Sequence, residues 1–188
     1  MSRRLEINHQ NKEALWQQCV QFHGHSCGGL TIGFQAAYLA AEKLELSHST
    51  DEEIVCISEN DACGVDAVQV LLGCSAGKGN LLFHLRGKQA FTIWNRTSGE
   101  GIRLMLKPMP EMPREKRQEY LIQADPAQLF AMMPPQIQLP QSASIYESIP
   151  CQACGENAAE PFMRMQQGKA YCLDCYVQPK SLSRMEKK

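Results

Sequence analysis

Apolar positions recur at helical spacing twice near the start of the chain. In NKEALWQQCVQF (residues 11–22), Leu15, Cys19 and Phe22 fall on one side of a helix. In GGLTIGFQAAYLAAEKLEL (28–46), Leu30, Phe34, Ala37, Tyr38, Ala41 and Leu44 do so over more turns. EIVCIS (53–58) is short and rich in β-branched residues, and reads as a strand. GVDAVQVLLG (64–73) returns to helical spacing, with Val65, Val68 and Leu72 on one face. Three strand-like runs come next, Asn80 to Leu85, Gln89 to Asn95 and Ile102 to Lys107, separated by the turn material RGK and RTSGEG. Residues 113–133 predict two helical pieces, broken at Asp125-Pro126, a turn and N-cap.

The pattern then lapses. MMPPQIQLPQSASIYESIP (132–150) holds four prolines and few charges, and reads as a stiff linker or an arm crossing to another surface. A cysteine-rich tail comes after it. The expected organisation is a core domain over 1–131, a linker over 132–150 and a small module over 151–188. With 188 residues, 44% of them apolar, the core needs no staples. A net charge of −1 gives no global field toward nucleic acid or an anionic membrane. No apolar run reaches a membrane span, and MSRRLEINHQNKEALW has no apolar signal segment, so a cytoplasmic protein is expected.

Nine cysteines change the picture. An odd count without an export signal points to metal binding or catalysis rather than to disulfides. In the tail, CQAC (151–154) and CLDC (172–175) are separated by 17 residues. Two thiolate pairs on tight turns are a standard four-ligand zinc set, so Cys151, Cys154, Cys172 and Cys175 are expected to hold zinc. The tail is too short for a core of its own, and metal must supply its folding energy. YCLDCYVQ is placed to open a short helix, giving a treble-clef or ribbon-like finger. Arg164, Lys169, Lys180, Arg184, Lys187 and Lys188 make the tail only mildly basic. That is weak support for phosphate contacts, and a solvated terminus or a protein-contact module is the favoured reading.

A second group sits at the front, in FHGHSCGG (22–29). His23, His25 and Cys27 are spaced by two, so on extended chain they point the same way. Cys27-Gly28-Gly29 and Cys63-Gly64 each put a thiol at a helix start, where free N–H groups favour thiolate. His23, His25 and Cys27 can then share one metal, with Cys63 adding a ligand from the next helix mouth and an open position remaining. Asp61 and Asp66 are candidates to orient a histidine. Cys19 and Cys56 lie in apolar runs and read as core residues. GCSAGKGN (73–80) is not a phosphate loop: the gap is one residue short and Gly79 replaces the Ser/Thr. Its glycines and Lys78 remain a candidate small-anion or cofactor contact.

The combination HGHSCGG, DACGVDAVQ and GCSAGKGNL resembles the family of proteins like the E-subunit of formylmethanofuran dehydrogenase, over roughly residues 15–107. The tail resembles a zinc finger appended to some members. The resemblance implies an α+β fold, with helices packed around a mainly antiparallel sheet, and commonly a homodimer. It also implies a metal cleft from the HGHxC and DxC segments: His23, His25, Cys27, Asp61 and Cys63, with Cys74 and Lys78 nearby. The mixed N/S donors suit zinc, nickel, iron or copper, of which zinc, nickel or iron is the expected second metal. The chain has no C-x2-C-x2-C-x3-C-P iron–sulfur run and nothing that looks like a pterin-binding protein, so the resemblance implies a fold and a site rather than formylmethanofuran chemistry. Two roles are expected from this. One is a metal-binding accessory or enzyme-like protein related to one-carbon and molybdenum-enzyme systems. The other is a regulatory protein whose finger docks on a partner.

Overall fold

The end of the first helix determines how the candidate site is built. In the computed structural model, which describes residues 7–143 and 145–177, α1 (Lys12–His23) buries Leu15, Trp16 and Cys19. Val20 packs beside them. That face leads one turn on to His23, whereas Phe22, expected inward, is 59% exposed. Trp16 takes the inward place, edge-on to Phe34 at 5.3 Å between ring centroids. Gly24 closes the helix in a left-handed conformation (φ 88°), its N–H donating to Val20 O.

The chain divides into two units, Met1–Ala143 and Ser144–Lys188. In the first, α2 (Gly28–Lys43) is buried continuously from Leu30 to Ala41, as an almost wholly apolar helix should be. Around it lie α1, α3 (Gly64–Leu72), α4 (Arg114–Gln123) and α5 (Pro126–Leu129). The sheet has β1 (Ile54–Ser58), β2 (Leu81–Phe83), β3 (Ala90–Asn95), β4 (Gly101–Leu106) and β5 (Phe130–Met133), in the order β2-β1-β3-β4-β5. Only β1 and β2 pair in parallel, and α3 is the crossover that a parallel pair needs. The fold is thus α+β with a mainly antiparallel sheet.

The break at Asp125-Pro126 is present: Asp125 Oδ1 accepts from Ala127 N–H at 3.0 Å and Pro126 starts α5. The second helical piece is shorter than expected. Residues 130–133 are strand, not helix, pairing Phe130 with Leu106 through to Met133 with Arg103. The edge of β4 offers a full ladder there and Phe130 gains burial, which outweighs the weak helical pattern. The proline-rich stretch lies on the first unit as far as Ala143. Arg96 donates to the carbonyls of Pro140 (2.5 Å) and Gln141 (3.0 Å), and Ala143 N–H donates to Glu52 at 3.0 Å.

Three glycines set how closely α2 and α3 approach. A Cβ on Gly33 would sit 2.0 Å from Gly64 O, and one on Gly64 would sit 3.1 Å from Gly29 O. Backbone, not a flexible side chain, is what would be struck. Gly33→Ala is therefore expected to cost about 3 kcal/mol or more, the upper end of overpacking effects. Urea unfolding reads this directly, and a midpoint equal to wild type would contradict the close approach.

Among its described residues the second unit has two hairpins joined by a short 3-10 turn, Glu160–Phe162. β6 (Ser148–Pro150) pairs with β7 (Asn157–Ala159), and β8 (Met163–Gln166) with β9 (Lys169–Cys172). Gln167 and Gly168 both have positive φ (51° and 74°), as a two-residue hairpin turn requires. The short helix expected at YCLDCYVQ is not seen among the described residues, where Leu173–Cys175 form a turn. Lys180, Arg184, Lys187 and Lys188 of the basic tail lie outside the described residues. No helix among the described residues is long and apolar enough to cross a membrane.

Candidate metal centres

His23 is the last residue of α1, and Cys27 is the residue that caps α2. Between them the Gly24 turn reverses the chain. Cys27 has extended backbone (φ −151°), and its Sγ accepts from Leu30 N–H at 3.4 Å. The His23 ring is held from the far side: Nδ1 lies 2.7 Å from Asp66 Oδ2. The other carboxylate oxygen of Asp66 accepts from Gln69 Nε2 at 3.1 Å. A carboxylate on Nδ1 fixes the proton there and leaves the Nε2 lone pair free as a ligand. That Nε2 lies 3.8 Å from Cys27 Sγ. The His25 ring centroid is 4.5 Å from that of His23. One donor atom each from His23, His25 and Cys27 lies within 4.8 Å of the other two. Tetrahedral zinc with its usual bond lengths spaces N and S donors by about 3.5 Å, so this donor set fits a metal ion with small adjustment.

Cys63 stands beside this group, not within it. Its Sγ would lie 3.5 Å from a Cβ on Gly29, with Cys27 Sγ at 4.0 Å from the same point. The absence of side chains at Gly29 and Gly33 lets the two helix mouths meet. The expected lowering of the Cys63 thiol pKa is not realised. Burial raises it, and the hydrogen bond and charge of Cys27 raise it further. Its backbone is already helical (φ −46°, ψ −30°), and its side chain makes no cap hydrogen bond. The positive helix mouth therefore does not dominate.

His23, Asp66 and Cys63 face a cleft of about 440 Å³, together with Asp61, Gln69 and Phe83. Lys78 is not among the residues lining it. Its ammonium donates to Ser49 O at 3.3 Å. Cys74 is fully buried, with Sγ donating to Ile54 O at 3.6 Å, and burial pushes its thiol up to about 12. Burial does the same to Cys19 and raises Cys56 strongly, in keeping with both as core residues.

In the second unit Cys151, Cys154, Cys172 and Cys175 bring four thiols within 4.8 Å of one another. Cys154 Sγ is 3.9 Å from Cys172 Sγ, close to the roughly 3.8 Å between thiolates around tetrahedral zinc. Backbone N–H groups converge on Cys151, including those of Ala153 (3.5 Å) and Cys172 (3.4 Å). Backbone hydrogen bonding at Cys154, Cys172 and Ala153 lowers its thiol to about 6. Cys175, hydrogen-bonded to Cys172 and Cys154, is pushed up to about 12. The four-cysteine set fits a cation that relieves this crowding.

Sequence spacing brings the histidines and cysteines into view but misses Gln69 and Gly33. Gln69 carries a signal, because it comes three residues after Asp66 and so shares its face of α3.

Residues 22–131 match the family model described as "FmdE, Molybdenum formylmethanofuran dehydrogenase operon". A curated relative from Archaeoglobus fulgidus, named "Probable S-adenosyl-L-methionine-binding protein", is 36% identical over 104 residues. That match covers 53% of this chain and 28% of the relative's length. The crystal structure of an FmdE-like protein of the tungsten formylmethanofuran dehydrogenase type, from Syntrophus aciditrophicus, superposes with a TM-score of 0.66 at 22% identity. It covers 91% of this chain and 95% of that one, a likeness of fold.

Proposed function

The chain belongs to the FmdE family, described by the molybdenum formylmethanofuran dehydrogenase operon, and from that premise we propose that it is a metal-binding accessory protein of one-carbon and molybdenum-enzyme systems. Its working centre is a transition metal (zinc, nickel or iron) on His23, His25 and Cys27, with the Cys63 thiol alongside. Zinc on the four tail cysteines has a structural role. The observation that carries this reading is the Gln69–Asp66–His23 relay, which presents Nε2 to the Cys27 thiol. A histidine that only filled space would not need its other nitrogen fixed by a carboxylate that is itself held.

A metal bound there supplies a Lewis acid at the wall of the 440 Å³ cleft. The protein's own groups do the rest. Asp66 keeps the proton on Nδ1, Gln69 holds Asp66, and Phe83 and Val65 give the cleft apolar wall. Asp61 and Asp66 make the protein's own charge there negative, so an anionic ligand depends on the metal. His23→Ala and Cys27→Ser are each expected to lower bound metal by about one atom per chain while the fold survives. Asp66→Asn is expected to weaken metal affinity about tenfold or more. Full stoichiometry and affinity in all three variants would overturn the reading.

A second reading has its own observation. The tail unit exposes Phe162, Met165 and Leu173, each at least half open to solvent, which suits a docking module. In this reading the finger contacts a protein, with a second copy of the chain as the first candidate, rather than nucleic acid. Sedimentation of the full chain and of a variant ending at Ala143 tests it. A dimer that becomes a monomer supports docking through the finger, and an unchanged dimer contradicts it.

A further inference from the structure

On the first unit, a second cleft of about 230 Å³ lies beside the end of β1. Three residues on its rim, His84, Arg86 and Lys88, alternate along the sequence HLRGK. Gly87, with φ 66°, turns the chain between Arg86 and Lys88, and both of those residues still line the cleft. The main chain of this strap is tied to β1 and its continuation. His84 N–H donates to Ser58 O and Arg86 N–H to Glu59 O, both at 2.8 Å. The Asn60 amide donates to Lys88 O at 2.8 Å. These bonds fix the path of the strap that carries His84, Arg86 and Lys88; Arg86 and Lys88 are exposed, and the Arg86 guanidinium also donates to Leu85 O at 2.9 Å.

The floor of the cleft holds Arg103, 4% exposed. Its Nε and one terminal nitrogen donate to the two oxygens of Glu59, at 2.6 and 2.9 Å. Among the described residues the other terminal nitrogen has the Met133 thioether, at 3.9 Å, as its partner, a weak acceptor. That guanidinium nitrogen therefore keeps donor capacity that no oxygen of the described residues takes up. Glu59 and Arg103 neutralise one another. Arg86 and Lys88, with no ion pair among the described residues, leave a cleft charge of +2 before His84 is counted. Thr92 adds a hydroxyl to the lining, and Gln136 of the proline-rich stretch adds a side-chain amide.

We propose that this cleft binds a compact dianionic oxyanion of the phosphate class, held by Arg86 and Lys88 with the Arg103 nitrogen that meets Met133 at its base. Charge-assisted bonds from guanidinium and ammonium to phosphate are the strong ones. The charge also distinguishes this cleft from the metal cleft, whose own ionisable side chains include Asp61 and Asp66 and no Lys or Arg.

The test is calorimetric titration of the full-length protein with inorganic phosphate, a phosphomonoester and acetate at low ionic strength. Saturable binding of one phosphate per chain is expected, with acetate weaker by about tenfold or more. Arg86→Ala/Lys88→Ala alters two exposed side chains, so it should fold as wild type, and it is expected to weaken phosphate at least about tenfold. Cys27→Ser should bind phosphate as wild type does. A monoester that binds more tightly than phosphate would identify an organic phosphate as the ligand. The reverse order would identify the free ion, and either order supports the site. No saturable binding, unchanged affinity in the double variant, or loss of binding in Cys27→Ser would each overturn it.

Discussion

Cys172→Ser is expected to remove the metal of the tail and, with it, the fold of the second unit. The apolar cluster there amounts to Cys151, Met163 and Cys172, with Ile149, Ala158, Ala170, Tyr171 and Cys175 partly buried around them. Much of that cluster is the ligand set itself. Hairpins of three or four residues per strand do not stand alone in water. Zinc on four thiolates, where bound, contributes on the order of 10 kcal/mol of folding free energy to a small unit. Limited proteolysis reads the result. Cleavage within residues 145–177 should become rapid, while the unit ending at Ala143 stays resistant. Unchanged resistance of the tail in metal-free Cys172→Ser would show that the hairpins hold without the ion.

Glu59→Ala is expected to be the most costly side-chain truncation in the first unit, at about 3–5 kcal/mol. The Glu59 and Arg103 side chains are 7% and 5% exposed, and both carboxylate oxygens accept from the guanidinium. Removing the acid leaves a buried, unpaired cation, which is worse than having neither group. The pH dependence has a definite sign. Hydrogen bonding and charge from Arg103 hold the Glu59 carboxyl below its ordinary value of 4.5. A depressed carboxylate stabilises the fold fully above the unfolded-state value. That contribution is lost as pH falls through the lower folded-state value. Urea midpoints should therefore separate wild type from Glu59→Gln widely at neutral pH and converge in acid below about pH 4.5. A constant gap across that window would mean that the pair contributes no proton linkage.

Much of the fold is legible in the sequence because each period has one dominant reading. Residues 28–46 repeat at helical spacing and have no other use for their apolar side chains than the centre of the unit. The strands at 53–58 and 89–95 are β-branched or aromatic and short. What escapes is set by partners far away in sequence. Phe130 to Met133 form a strand because β4 has an open edge, and no local signal carries that. Phe22 looks inward at a spacing of three from Cys19, yet the buried face runs through Trp16 and Val20. That difference matters to the site, since it is the same face that delivers His23.

The candidate centres divide in the same way. Cysteine pairs and the His-x-His-x-Cys run are local patterns, and the structure brings each set together. The pKa of Cys63 escapes sequence reasoning because the helix mouth is a local argument, whereas burial and the Cys27 thiol act across the α2–α3 contact. Lys78 sits in a glycine-rich turn that invites an anion, but its ammonium reaches Ser49 O, away from the three donors. The strap that carries His84, Arg86 and Lys88 is hidden because RGK reads as a turn. Only the hydrogen bonds to β1 show that it is a built edge.

The most direct test of a core metal centre is elemental analysis per chain, on the full protein and on a variant ending at Ala143. Two metal atoms falling to one is the expected result, with the remaining atom lost on Cys27→Ser. One atom falling to none would contradict a metal on His23, His25 and Cys27, and would leave the tail as the only metal-binding part of the chain.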